Sequence, residues 1–288
     1  MLKNKDNYLS AQIVLGFVDY FAELIDGKPF HHQYDFRKPG LYEGFEKKHQ
    51  VTNGNLTIHS LEDAYKKYWW DNKDYAENKR ILDKISKKIK EYRRGEESRE
   101  ECLKVLERVL EWGAGNKYTK LFVSNMDWAK SKENIDKLME DGVKEMQKHD
   151  PNPKLFDNEK GPRMNAGFTK YYALACEDVI IYDGRVAAAL GFLTKKYLKQ
   201  ESRDWIPDEL NFGYTGNKYR NPNKCEVNYE LTNKFKLIIS HHHHAESNIR
   251  ANWIISEAMG KVKDKEWDSE KIDMRKIEAA LFILGYSL

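Results

Sequence analysis

Cysteine is scarce: the 288 residues hold three, Cys102, Cys176 and Cys225, far apart and with no CxxC pair. That spacing argues against a disulfide framework or a zinc–thiolate site and suits a reducing compartment. Long hydrophobic runs are also missing, and no window approaches the roughly 20 apolar residues that a membrane span needs. The polar opening MLKNKDNYLS, followed by an apolar run broken at Asp19 and Glu23, does not read as a secretory leader. The expectation is a cytoplasmic protein with no membrane partner. Neither sign of charge dominates, since 49 Lys and Arg stand against 46 Asp and Glu for a net charge of +3. Such a balance permits nucleic-acid binding only through local clustering. The basic stretch from Lys84 to Arg94 is one cluster, although a run of this kind is most often a solvated helix face. Walker, GxGxxG, GxSxG and HExxH patterns are all absent, which argues against nucleotide hydrolases and α/β hydrolases.

Aromatic residues are plentiful: Phe, Trp and Tyr reach 12% beside 33% charged residues, so a real core sits under a polar surface. Periodicity points to a mainly α-helical fold. Leu9, Ile13, Phe17, Phe21 and Leu24 define a first helix that ends at Asp26-Gly27. Residues 28–58 read as loop with room for a pair of short strands. Ser60 caps a helix carrying Tyr65, Tyr68 and Trp69, and another follows through Ile81, Ile85 and Ile89. Ser98 and Glu101 form a capping box before a helix that stops at Trp112-Gly113. The spacing predicts further helices over 131–147, on both sides of VIIYD (179–183), through Val227, Leu231 and Phe235, over 242–259, and through Ile272, Ile277, Leu281 and Leu284. Pro151 and Pro153 suggest a boundary between two helical lobes, 1–150 and 151–288.

The segment richest in chemistry is RMNAGFTKYYALACEDVIIYDGRVAAALGFL, Arg163 to Leu193. Its short apolar run delivers Asp183 to the start of a helix, where backbone N–H groups keep a carboxylate ionised. Such a carboxylate is either a plain cap or the charge that stabilises a sugar cation during glycosidic cleavage.

VIIYDGRVAAAL resembles the segment that carries the catalytic Asp in helix-hairpin-helix base-excision DNA glycosylases, and AGFTKYYAL resembles their hairpin exit. Trp112-Gly113 followed by Asn116 is similar to a helix end in oxoguanine-type members. The resemblance implies a two-lobed helical fold with a degenerate helix-hairpin-helix, acting as a DNA glycosylase on a flipped-out damaged or modified base in repair or antiviral defence. It places Asp183 at the catalytic position and Lys170 at that of the Schiff-base lysine of bifunctional members. It implies DNA contacts by Gly167, Thr169, Arg185 and His244, with no cofactor and no metal.

Outside that segment, Lys218 and Arg220 lie in the YTGNKYRNPN loop, a composition suited to phosphates. His31, His32, Tyr34, Arg37 and Lys38 form a second basic-aromatic loop suited to insertion beside an extruded nucleotide, and His31, His32, Tyr34 and Trp253 are candidates for a base pocket. Among His241 to His244 only His241 and His244 share a helix face as a ligand pair, against the simpler reading of a solvated helix start. The rival reading of the whole chain is a non-catalytic helical DNA-binding or protein-interaction module.

Overall fold

Apolar residues at three- and four-residue spacing carry most of the chain into helices, and the fold is mainly α as expected. The computed structural model describes residues 2–35, 55–95 and 98–288. In chain order these hold α1 (Lys5–Leu9), α2 (Gln12–Ile25), the strands β1 (His32–Asp35) and β2 (Asn55–Ile58), α3 (Leu61–Lys66), α4 (Tyr75–Arg94) and α5 (Arg99–Ala114). Then come α6 (Lys120–Lys130), α7 (Ile135–Gln147), α8 (Phe168–Ala175), α9 (Gly184–Gln200), α10 (His241–Lys261), the strands β3 (Glu266–Trp267) and β4 (Glu270–Lys271), and α11 (Met274–Leu284). Arg37 and Lys38 lie outside the described residues.

Helix ends follow their caps. Ser60 accepts the Asp63 N–H at 3.0 Å, and Glu62 and Asp63 place negative charge in the first turn. Ser60→Ala should therefore cost about 1 kcal/mol in urea unfolding, and an unchanged midpoint would show that the cap contributes nothing. Ser98 accepts the Glu101 N–H in the same way. The helix it opens runs to Ala114, one residue past the expected Trp112-Gly113 stop, because the left-handed residue that closes it is Gly115 at φ +79°.

The chain forms two compact units, each assembled from three segments. The first comprises Met1–Tyr8, Lys79–Asp183 and Ile239–Asn252, and the second Leu9–Asn78, Gly184–Ile238 and Trp253–Leu288. The boundary expected at residue 150 falls inside the first unit. There Pro151 and Pro153 only end α7 and start a 3-10 turn, Pro153–Asp157. In the first unit α5 packs on α6, α7 and α8. In the second, α11 packs on α3 and α9 while β1 and β2 pair antiparallel with Tyr34 opposite Leu56.

Two segments depart from the periodic reading. Lys120–Lys130 is a further helix: its inward positions Phe122, Asn125, Met126 and Ala129 have helical spacing, but a polar Asn125 on that face and exposed Leu121 and Val123 on the other blur the apolar pattern. The stretch around Val227, Leu231 and Phe235 is irregular instead of helical. Side-chain amides replace the helical ladder there: Asn223 bonds both the N–H and the C=O of Phe235, Asn211 bonds the backbone of Lys234 and Lys236, and Asn233 bonds both backbone groups of Ile206.

Candidate nucleic-acid interface

Within the first unit, α4 has two unlike faces. Its inner face carries Leu82, Ile85 and Ile89, all buried. Polar groups at its edge pin it: the Ser86 hydroxyl donates to the Leu174 carbonyl at 2.8 Å, and the Arg93 guanidinium donates to Glu140 at 2.8 Å and to the Ala175 carbonyl at 3.1 Å. The outer face presents Arg80, Lys84, Lys87, Glu91 and Arg94, all exposed, with Lys88 on its flank. At 100° per residue the five span an arc of about 80° over roughly 21 Å of axis. Glu91 pairs loosely with Lys87 at 3.8 Å. Arg80, Lys84, Lys88 and Arg94 form no ion pair among the described residues. The face is thus a line of cations held by a rigid, well-anchored helix.

The structure does bring together the expected catalytic residues of the Arg163–Leu193 segment. Asp183 stands directly before α9 and is half-buried. The Lys170 side chain is buried, with its ammonium donating to the Ala166 carbonyl and its stem against Gly113, where an added Cβ would meet Cδ at 2.2 Å. His244 is buried and donates from Nε2 to the Tyr182 carbonyl at 2.6 Å. Burial pushes its pKa down to about 4; the hydrogen bond to the Tyr182 carbonyl and then Asp183 pull the other way, while His241 and Lys170 add to the lowering. The VIIYD run is held by side chains and not by a strand. Asn252 accepts the Ile180 N–H, Asn248 donates to the Ile180 carbonyl, and the Thr169 hydroxyl accepts the Tyr182 N–H while donating to Asn248.

The other expected contacts scatter. Gly167, Thr169, Arg185 and His244 are buried, so none of them presents a side chain to a phosphate as the chain stands. Arg185 instead lies against the rings of Phe282, Tyr286 and Trp70 at 4.0, 5.0 and 5.3 Å. Lys218 is exposed and Arg220 half-buried. Of the base-pocket candidates among the described residues, His31 alone is exposed. Tyr34 and Trp253 are buried, and His32 is fully enclosed between Glu226 (2.6 Å) and the Ser287 carbonyl (2.9 Å). His241 spends both ring nitrogens on protein, with Nδ1 toward the Met164 carbonyl and Nε2 accepting from Arg163 at 3.2 Å. Among the described residues no helix is long and apolar enough to cross a membrane.

Residues 43–109 match a family model described as "Transcriptional activator of glycolytic enzymes". Comparisons with curated proteins and with solved structures return no match. The matched segment is less than a quarter of the chain and contains β2, α3, α4 and most of α5. It corrects the resemblance to helix-hairpin-helix glycosylases, and with it the assignment to base excision and repair. The likeness rested on about thirty residues, and its central feature, an aspartate delivered to a helix start, is one that capping alone produces in unrelated helical proteins. The cationic face of α4 was visible in the sequence only as a charge run. The signal that isolates it is the spacing of Arg80, Lys84, Lys87 and Arg94, which is that of one helix face.

Proposed function

We propose that the chain is a non-catalytic DNA-binding module of a transcriptional regulator, docking on duplex DNA through the outer face of α4. The observation that carries this reading is the row of exposed cations, four of them without a counter-ion among the described residues, inside the segment that matches the activator family. A helix of this width fits the major groove, about 12 Å across, and cations spaced along some 21 Å meet successive phosphates at its border. Contacts of that kind fix position and carry no base readout. A regulator works where its DNA lies, so the cytoplasmic placement expected from the sequence applies only where the genome shares that compartment.

The test is the salt dependence of binding to duplex DNA, measured by fluorescence anisotropy. With four or five phosphate contacts the slope of log affinity against log salt should be about −4. A flat dependence would remove DNA as the partner of this face.

A further inference from the structure

The same helix borders a groove that the DNA-binding reading leaves unused. Side chains of α4 and α5 line an open depression of about 290 Å³, near the lower end of small-ligand sites, which start at about 300 Å³. Its lining includes the ring of Tyr92 and the side chain of Val105, and Gly95 leaves room at one end. Tyr92 shares a hydrogen bond with Cys102, and burial pushes its phenol far above the ordinary range, so this part of the lining is neutral. The acids in the lining are already matched: Glu101 contacts Lys104 at 2.8 Å and Glu91 contacts Lys87 at 3.8 Å. Lys88 and Arg108 are not, for neither forms an ion pair among the described residues. Two unmatched cations therefore share one concave, part-apolar site.

We propose that this groove binds a small phosphate monoester whose apolar body rests on Tyr92 and Val105. The Arg108 fork takes two phosphate oxygens and Lys88 supplies a point charge, the division of labour these side chains show toward phosphate. One phosphate gives both of these cations, Lys88 and Arg108, a partner, while Lys104 stays held between Glu100 and Glu101. Because Lys88 also flanks the outer face of α4, an occupied groove removes one cation from that face and weakens DNA binding. This coupling rests on the proposed function, whereas the ligand site does not.

The experiment is calorimetric titration of the intact chain with phenyl phosphate and, at equal ionic strength, with inorganic phosphate. Phenyl phosphate should bind at least tenfold more tightly than inorganic phosphate. Arg108→Ala and Lys88→Ala should each weaken it about tenfold, with Arg108→Lys in between. Equal affinity for both probes, or an Arg108→Ala variant that binds like wild type, overturns the site. Saturating phenyl phosphate should then lower duplex DNA affinity several-fold in wild type and leave it unchanged in Arg108→Ala. Binding of the ester with no effect on DNA affinity overturns the coupling. A chain that binds the ester and never binds DNA overturns the proposed function while the groove stands.

Discussion

Reversing two charges on α4, Lys84→Glu with Lys87→Glu, should lower duplex DNA affinity by about 100-fold at moderate salt and reduce the salt slope by about 2. Both side chains are exposed on the outer face and neither touches the buried row of Leu82, Ile85 and Ile89, so the melting temperature should hardly move. Two attractive phosphate contacts become two repulsive ones, which is why the effect exceeds that of simple deletion. The matched control is Lys263→Glu with Lys271→Glu, which changes the net charge by the same amount at exposed positions of the second unit. If both double variants weaken binding equally, the interaction is with net charge alone and α4 has no special place in it. If only the α4 variant fails to bind, the face is located.

The sequence made the caps legible because capping is local chemistry. Ser60, Ser98 and the glycine after Asp26 each act through hydrogen bonds or torsions within a few residues, and each marks a helix end in the structure. Periodicity failed where the ladder is supplied by side chains. Val227, Leu231 and Phe235 have helical spacing, but Asn211, Asn223 and Asn233 satisfy the backbone from a distance of 12 to 27 residues, a pairing that no local window contains. The small strands β3 and β4 were invisible for a related reason. At two residues each they have no periodicity of their own, and Trp267, the last residue of β3, is buried by tertiary packing that includes the Tyr65 ring at 5.6 Å.

The cationic face of α4 suffered from a different ambiguity. A basic amphipathic helix and a solvated one share the same sequence pattern, and only the absence of neighbouring acids separates them. That information is tertiary: Glu140 meets Arg93 and Glu177 meets Lys90 on the edges of α4, while among the described residues no acid pairs with Arg80, Lys84 or Arg94. The segment from Arg163 to Leu193 misled in the opposite way. Its residues do converge, since Asp183, Lys170 and His241 all bear on the His244 imidazole. Convergence of charged groups is common in structural networks too, and it does not by itself specify a reaction.

His244 gives that cluster a measurable consequence. Its folded pKa of about 4 lies below the ordinary 6.5, because burial opposes the charged ring and the Tyr182 carbonyl and Asp183 together do not make up the difference. The unfolded chain therefore binds a proton over pH 4 to 6.5 that the folded chain refuses, and stability falls as pH drops through that window. From pH 7 down to pH 4 this one group should remove about 3 kcal/mol. Carboxylates elsewhere also lose stability in acid, so the contribution is isolated by difference. His244→Gln keeps an N–H donor for the Tyr182 carbonyl and has no ring to titrate. Urea midpoints at pH 7, 5.5 and 4.5 should then fall less steeply in the variant than in wild type, with nearly all of the gap opening below pH 6.5. Parallel falls would mean that His244 titrates alike in the folded and unfolded chain, and that its burial against Tyr182 carries no penalty for the charged ring.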